Sequence, residues 1–300
     1  MSHFDRSGFE VEVTERLTLD CEPPLSGMYT LSPFVWQDGA RWEALIRAVP
    51  RRDDKPALKI ARIYHGSSED GLHFKMADEP CLAPGPGDED RGGCEDPTVA
   101  IWGGTTYVYY SGWNQEKGEG QLLLATGPDG ERLEKQGVRL PSTAQAANPK
   151  EATIVQVMDG TWRLFFEYAA GGASKIGLAA APHVYGPWTV QTPLFGARPG
   201  AWDGWHLSTG PILISNPARP VMFYNGAMQD AHWRIGWAAF DAEYTRVVAR
   251  GDAPVIVPPT PEGDRTDIAF AASAVEMDGN IYLYYSIADQ DMVRATLRRA

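Results

Sequence analysis

An apolar or aromatic run recurs five times along this chain at almost constant spacing. The runs are Ala44-Leu45-Ile46, Tyr107-Val108-Tyr109-Tyr110, Leu164-Phe165-Phe166, Val221-Met222-Phe223-Tyr224 and Ile281-Tyr282-Leu283-Tyr284-Tyr285. With Leu45, Val108, Phe165, Phe223 and Leu283 as markers, the steps are 63, 57, 58 and 60 residues. A period of this size built from strand-like segments predicts radially stacked copies of one β unit, an all-β five-bladed propeller. A second marker keeps the step: Ala61, Ala125, Ala179, Ala238 and Ala295 follow the runs at intervals of 64, 54, 59 and 57.

Each run is preceded by a short apolar strand, such as Ser32-Pro33-Phe34-Val35-Trp36 or Asp96-Pro97-Thr98-Val99-Ala100-Ile101. Turn residues join the two: Gln37-Asp38-Gly39, Gly103-Gly104, Met158-Asp159-Gly160 and Met277-Asp278-Gly279-Asn280. Asp-Gly and Gly-Gly between such runs are strong hairpin signals. Three strands per copy are legible, and a fourth, outer strand is expected in segments such as Trp188-Thr189-Val190 and Pro254-Val255-Ile256-Val257. No linker-like stretch divides the chain, so residues 1–300 read as one domain, with 1–25 as a tail or closing segment. Helical periodicity is almost absent; the best short candidates lie in that tail.

The 27 basic and 39 acidic residues give a net charge of −12, which argues against nucleic acid or an anionic membrane as partner. Met1-Ser2-His3-Phe4-Asp5-Arg6 lacks the apolar core of a signal peptide, and no run is long enough to span a bilayer. Cys21, Cys81 and Cys94 cannot all pair and match no zinc spacing. A reduced, cytoplasmic setting is expected, with no cofactor and no metal; oligomeric state is open, a dimer through edge tryptophans included. Asp88-Glu89-Asp90 near Glu95 lacks the alternation of a calcium loop and reads as a solvated acidic loop. Ten tryptophans exceed what core packing usually needs, and flat indoles stack on sugar rings.

In a propeller, chemistry belongs in the funnel where the innermost strands begin. Blade two begins Cys94-Glu95-Asp96-Pro97, blade three Asn148-Pro149-Lys150-Glu151, and blade four follows Trp205-His206-Leu207-Ser208-Thr209. Carboxylates at the starts of adjacent blades supply the pair that glycoside hydrolysis needs, one acid for the leaving oxygen and one base or nucleophile. Bland alternatives stand beside this: Asp96 as a turn residue before proline, Glu151 in a rim salt bridge to Lys150.

Gly92-Gly93-Cys94-Glu95-Asp96-Pro97, followed by Gly104-Thr105-Thr106-Tyr107-Val108-Tyr109-Tyr110, resembles the signature of glycoside hydrolase family 130, the β-mannoside phosphorylases and related β-mannosidases. Ser67-Ser68-Glu69-Asp70-Gly71-Leu72-His73-Phe74, Lys150-Glu151-Ala152 and Asp267-Ile268-Ala269-Phe270 resemble further family segments, so the likeness covers nearly the whole chain. It implies a five-bladed propeller acting on an oligosaccharide or glycoside. Asp96 would be the general acid, donating through a hydroxyl of the bound mannose, and Arg47 and Asp267 would hold the sugar. A guanidinium suits that task because its rigid fork fits vicinal hydroxyls.

The chain departs from the phosphorylase pattern. Thr98 stands where the phosphorylases follow Glu-Asp-Pro with arginine, and Gly120-Gln121-Leu122 replaces a strand containing another. Phe166-Glu167-Tyr168 occupies the expected place of a basic or histidine-rich stretch. A phosphate dianion needs several converging cations, whereas a carboxylate there can activate water. The expectation is therefore an inverting hydrolase with Asp96 as acid and Glu167 or Glu151 as base; Lys150, Tyr168 and His206 bind substrate and Trp113 is its stacking platform. Phosphorolysis is the first alternative. For Glu167 a surface pair with Lys175 or Arg163 is the plain alternative, and for His206 a structural role. An arabinanase- or xylosidase-type propeller of families 43 and 32 would want an aspartate near Leu31-Ser32-Pro33-Phe34, where none stands before Asp38. A non-catalytic sugar-binding propeller is the remaining alternative.

Overall fold

The computed structural model describes residues 8–51, 60–260 and 266–300, and Met1-Ser2-His3-Phe4-Asp5-Arg6 lies outside them. Two strands, β1 (Phe9–Arg16) and β2 (Thr18–Asp20), precede the first blade. Blade one comprises β3 (Tyr29–Asp38), β4 (Arg41–Val49), β5 (Arg62–Ser68) and β6 (His73–Met76), with β2 added in parallel outside β6. Blade two is β7 (Cys94–Trp102), β8 (Thr105–Asn114), β9 (Glu119–Gly127) and β10 (Glu134–Leu140). Blade three is β11 (Ala147–Gln156), β12 (Trp162–Ala170), β13 (Ala173–Ala181) and β14 (Thr189–Gln191). Blade four has a split inner strand, β15 (His206–Ser208) and β16 (Ile212–Leu213), then β17 (Val221–Ala227), β18 (Arg234–Phe240) and β19 (Val247–Arg250). Blade five is β20 (Ala269–Met277), β21 (Asn280–Ile287) and β22 (Asp291–Arg299), and β1 supplies its outer strand by pairing with β22.

The result is the five-bladed, all-β propeller that the repeat predicts. Each marker run lies in the second strand of a blade, and Leu45, Val108, Phe223 and Leu283 have no exposed surface. Buried clusters fill the clefts between successive blades, which is why both faces of these strands are apolar. The glycine turns behave as expected: Gly103 and Gly104 both take positive φ, and so do Asp278 and Gly279. That pattern is the tight hairpin whose twist matches the flanking strands.

Three expectations shift. The outer strand of blade four is Val247–Arg250; Pro254–Val257 contributes only one bridge, Ile256 to Ile235. The alanines are not one structural position: Val108 faces Ala125 and Leu283 faces Ala295, but Phe165 faces Leu178, Phe223 faces Trp237 and Leu45 faces His65. Small residues recur there because adjacent blades crowd, not because one site demands alanine. Among the described residues the helical content is one 3₁₀ turn, Leu25–Gly27.

Candidate active site

The inner strands of the first three blades are kinked near their starts. Register slips occur between Leu31 and Phe34, Glu95 and Thr98, and Lys150 and Thr153, and Ser32, Asp96 and Glu151 sit in them with φ near +50°. Proline follows Ser32 and Asp96; it lacks an N–H, so it is tolerated at a bulge on an edge strand. A bulge re-aims the side chain it carries. Here the three meet across neighbouring blades.

Asp96 is 4% exposed. Its Oδ1 accepts from Ser32 Oγ at 2.7 Å and from Arg47 Nη1 at 2.9 Å. Arg47 Nη2 also pairs with Glu95 Oε1 at 2.9 Å, so one guanidinium bridges two consecutive carboxylates. Burial works against the charge on Asp96, but Arg47, the Ser32 hydroxyl and Lys150 outweigh it and hold the carboxyl below its usual range. Glu151 hydrogen-bonds to Asp96, and burial followed by the Asp96 charge pushes its pKa well above the ordinary glutamate value. Within the pair the proton is therefore favoured on Glu151 and the negative charge on Asp96. Such a pair titrates as a unit.

The neighbouring positions follow a rule around the ring. By register, Arg47, Ser111, Glu167, Asn225 and Ser286 are second-strand residues opposite the kinked part of each inner strand. Four of them tie their blade to the next. Ser286 accepts from the Ser32 N–H at 2.8 Å, and Ser111 accepts from the Glu151 N–H at 3.1 Å. Asn225 accepts from the Ala271 N–H and donates to its carbonyl, while Arg47 grips Asp96. Glu167 is the exception. Only 3% exposed, its Oε1 accepts from Ser174 Oγ at 2.6 Å and meets Lys150 Nζ at 3.3 Å, both on its own blade. In blade four the buried Ser208 hydroxyl is left without a partner. Glu167 thus occupies a scaffold position without the scaffold bond, and the surface pair with Lys175 or Arg163 does not form.

The remaining expected residues lie around this cluster. The Lys150 side chain is 47% exposed at the cluster's open side, and Glu167 raises its pKa above that of a free lysine. His206 Nδ1 accepts from the Ser174 N–H at 3.1 Å, which puts the proton of the neutral ring on Nε2; burial lowers its basicity. Its ring lies 5.7 Å from Trp233 and 6.5 Å from Trp205, and Trp233 packs edge-on against Phe270. Trp113 is 42% exposed at the end of β8, over Gly92. Tyr168 points to the sheet face opposite Glu167, against the packing between blades two and three. Asp267 has one oxygen committed to Arg234 Nη2 at 2.6 Å, with His232 at 3.5 Å.

Sequence reasoning missed Glu95, Ser32 and Arg234. Glu95 was visible in the Glu-Asp-Pro run; the other two required knowing which blades touch. Asp90 is not part of a solvated loop: it is buried, with Lys135 at 2.6 Å and Tyr110 Oη at 2.9 Å, and Cys94 Sγ and the Gly85 N–H also donate to it. This node secures the loop leading into β7. No cluster of three or more potential metal ligands occurs among the described residues.

Fold and site together define a five-bladed propeller with a carboxyl pair, bridged by arginine, where its inner strands begin. The chain belongs to glycoside hydrolase family 130: the family profile, described as beta-1,4-mannooligosaccharide phosphorylase, matches residues 51–299. A Listeria innocua beta-1,2-mannobiose phosphorylase is 25% identical over 80% of this chain; the match spans 66% of that protein, just under two thirds. The solved beta-1,2-mannobiose complex of a Listeria innocua phosphorylase superposes with a TM-score of 0.78 at 21% identity, covering 92% of each chain. A second solved structure, reported with the finding that the family of mannoside phosphorylases contains hydrolases targeting beta-1,2 mannosidic linkages in Candida mannan, gives 0.79 at 21% identity, covering 99% of this chain and 95% of its own.

Proposed function

We propose that this chain cleaves β-mannosides by an inverting acid–base mechanism with water as the acceptor. The observation that carries the reading is the Asp96–Glu151 pair beside Arg47, in which burial favours the protonated form of Glu151 and Arg47 the ionised form of Asp96. The pair supplies the proton for the departing oxygen, with Asp96 as the route to the sugar and Glu151 as the store. Two carboxyls in mutual contact leave no room for the water that inversion places between acid and base, about 6.5–9.5 Å apart. Glu151 therefore does not serve as the opposing base, and Glu167 takes that role, oriented by Ser174 and Lys150. Arg47 and Asp267 flank the sugar and the indoles around His206 face the leaving group.

Water is favoured over phosphate by charge. Among the described residues of the site, Arg47 is matched by Asp96 and Glu95, Lys150 by Glu167 and Arg234 by Asp267, and His206 is neutral at pH 7. A dianion entering this set finds no unmatched cation to replace its water shell. Phosphorolysis is the second reading, favoured by the family's description and by the Listeria relative.

The test is incubation with β-1,2- and β-1,4-mannobiose, with and without inorganic phosphate. Mannose released at equal rates in both supports hydrolysis, and Asp96→Asn lowers that rate at least about 100-fold, the usual contribution of a positioned acid. Mannose 1-phosphate formed only with phosphate present would establish phosphorolysis instead. Cleavage of arabinan or xylan oligomers, with mannosides untouched, would overturn the substrate class.

A further inference from the structure

A cleft of about 540 Å³ opens between blades one and two, lined by the far ends of their strands. It is remote from the carboxyl pair. Glu43 in the cleft lies four residues along β4 from Arg47, about 13 Å at the rise of a strand. Its floor is polar and wired together. His65 Nε2 and Glu43 Oε2 are 2.8 Å apart, both largely buried, and Arg41 donates to Ser67 Oγ at 2.6 Å. One wall is the indole of Trp36, 6.5 Å from the His65 ring. Gly130 stands beside it, where a Cβ would come within 2.8 Å of the indole and 3.1 Å of the imidazole. Glycine there lets the loop approach both rings closely.

The repeat itself marks the floor as unusual. The residue facing the marker from the third strand is His65 in blade one, but Ala125, Leu178, Trp237 and Ala295 in the others, all buried and apolar. Counting two residues before the marker gives Glu43, then Thr106, Arg163, Val221 and Ile281. A propeller closes without a histidine–glutamate pair at this place, since four blades do. Local departures from an otherwise consistent pattern concentrate at functional sites.

We infer that this cleft is a second saccharide-binding site, distinct from the cleaving one. Its lining is acidic on balance, with Asp38, Glu43, Asp129 and Glu131 against Arg41 and Lys75. That excess of carboxylates disfavours an anion and supplies acceptors for hydroxyl groups. An aromatic wall over a floor of fixed donors and acceptors fits a neutral polyhydroxylated ring, which presents an apolar face and a rim of hydroxyls. The identity of the saccharide as a mannoside rests on the proposed function.

The test uses the full chain with Asp96→Asn, so that ligand persists, titrated calorimetrically with β-1,2- and β-1,4-mannotriose. Two equivalents bind, and one is lost when His65→Leu and Glu43→Val install the residues found at these positions in blades three and four. Both substitutions install residues that other blades carry at these positions, so folding survives; melting confirms it. In the background with Asp96 intact, the same two changes leave mannobiose turnover within twofold. One equivalent bound by the Asp96→Asn protein, or two retained after the double change, overturns the second site while turnover still supports the first. Absence of both turnover and binding of any mannoside overturns the proposed function together with the second site.

Discussion

At the residue scale the decisive fact is that two carboxyls near one guanidinium are pushed in opposite directions. Burial and the Asp96 charge favour the protonated form of Glu151, while Arg47, Ser32 and Lys150 favour the ionised form of Asp96. The consequence for pH is directional. A carboxyl whose folded pKa lies above its unfolded value adds stability in full below the unfolded value, about 4.5 for glutamate. That stability is lost as pH rises through the folded value. Glu151→Gln removes the titration and keeps a donor toward Asp96. Melting temperature in the variant is therefore flatter above pH 4.5 than in the parent, as pH-resolved calorimetry reads out. Turnover of the parent falls on the same alkaline limb, because the proton for the leaving group is gone.

Elements explain why those side chains meet. Each inner strand of the first three blades is kinked at residues with φ near +50°, and the sequence marks three of these through proline: Ser32-Pro33, Asp96-Pro97 and Asn148-Pro149. Glu151-Ala152 carries no such mark, which is why its alliance with Asp96 could not be read from the chain, where a rim ion pair was equally open. The loop entering β7 is pinned at its buried end by Asp90. Removing one partner of a buried ion pair strands a charge and costs about 3–5 kcal/mol. Lys135→Met should lower stability in urea by that amount, whereas the joint change Lys135→Met with Asp90→Asn should recover part of it. Turnover should drop in the single variant, since Cys94 and the start of β7 hang from this node.

For the molecule as a whole, closure comes from the first strand returning to the last blade. Phe9 on β1 packs its ring 4.8 Å from Phe223 and 5.7 Å from Trp237, in the cleft between blades four and five. Phe9→Ala should cost about 2–3 kcal/mol, below the range for a fully enclosed phenylalanine because the ring is half-buried; denaturant unfolding measures it. The sequence by itself determined the number of blades, the hairpins and the residues at the head of each inner strand. Those depend on local periodicity, on glycine and proline geometry, and on burial of every second strand. Only the tertiary structure decided the partners: that Ser32 and Arg47 of blade one serve Asp96 of blade two, that Glu167 alone leaves the inter-blade ring, and that Arg234 meets Asp267. Contacts between blades join residues up to 254 positions apart, as Ser32 and Ser286 are. No local pattern encodes a pairing that exists only once the circle has closed.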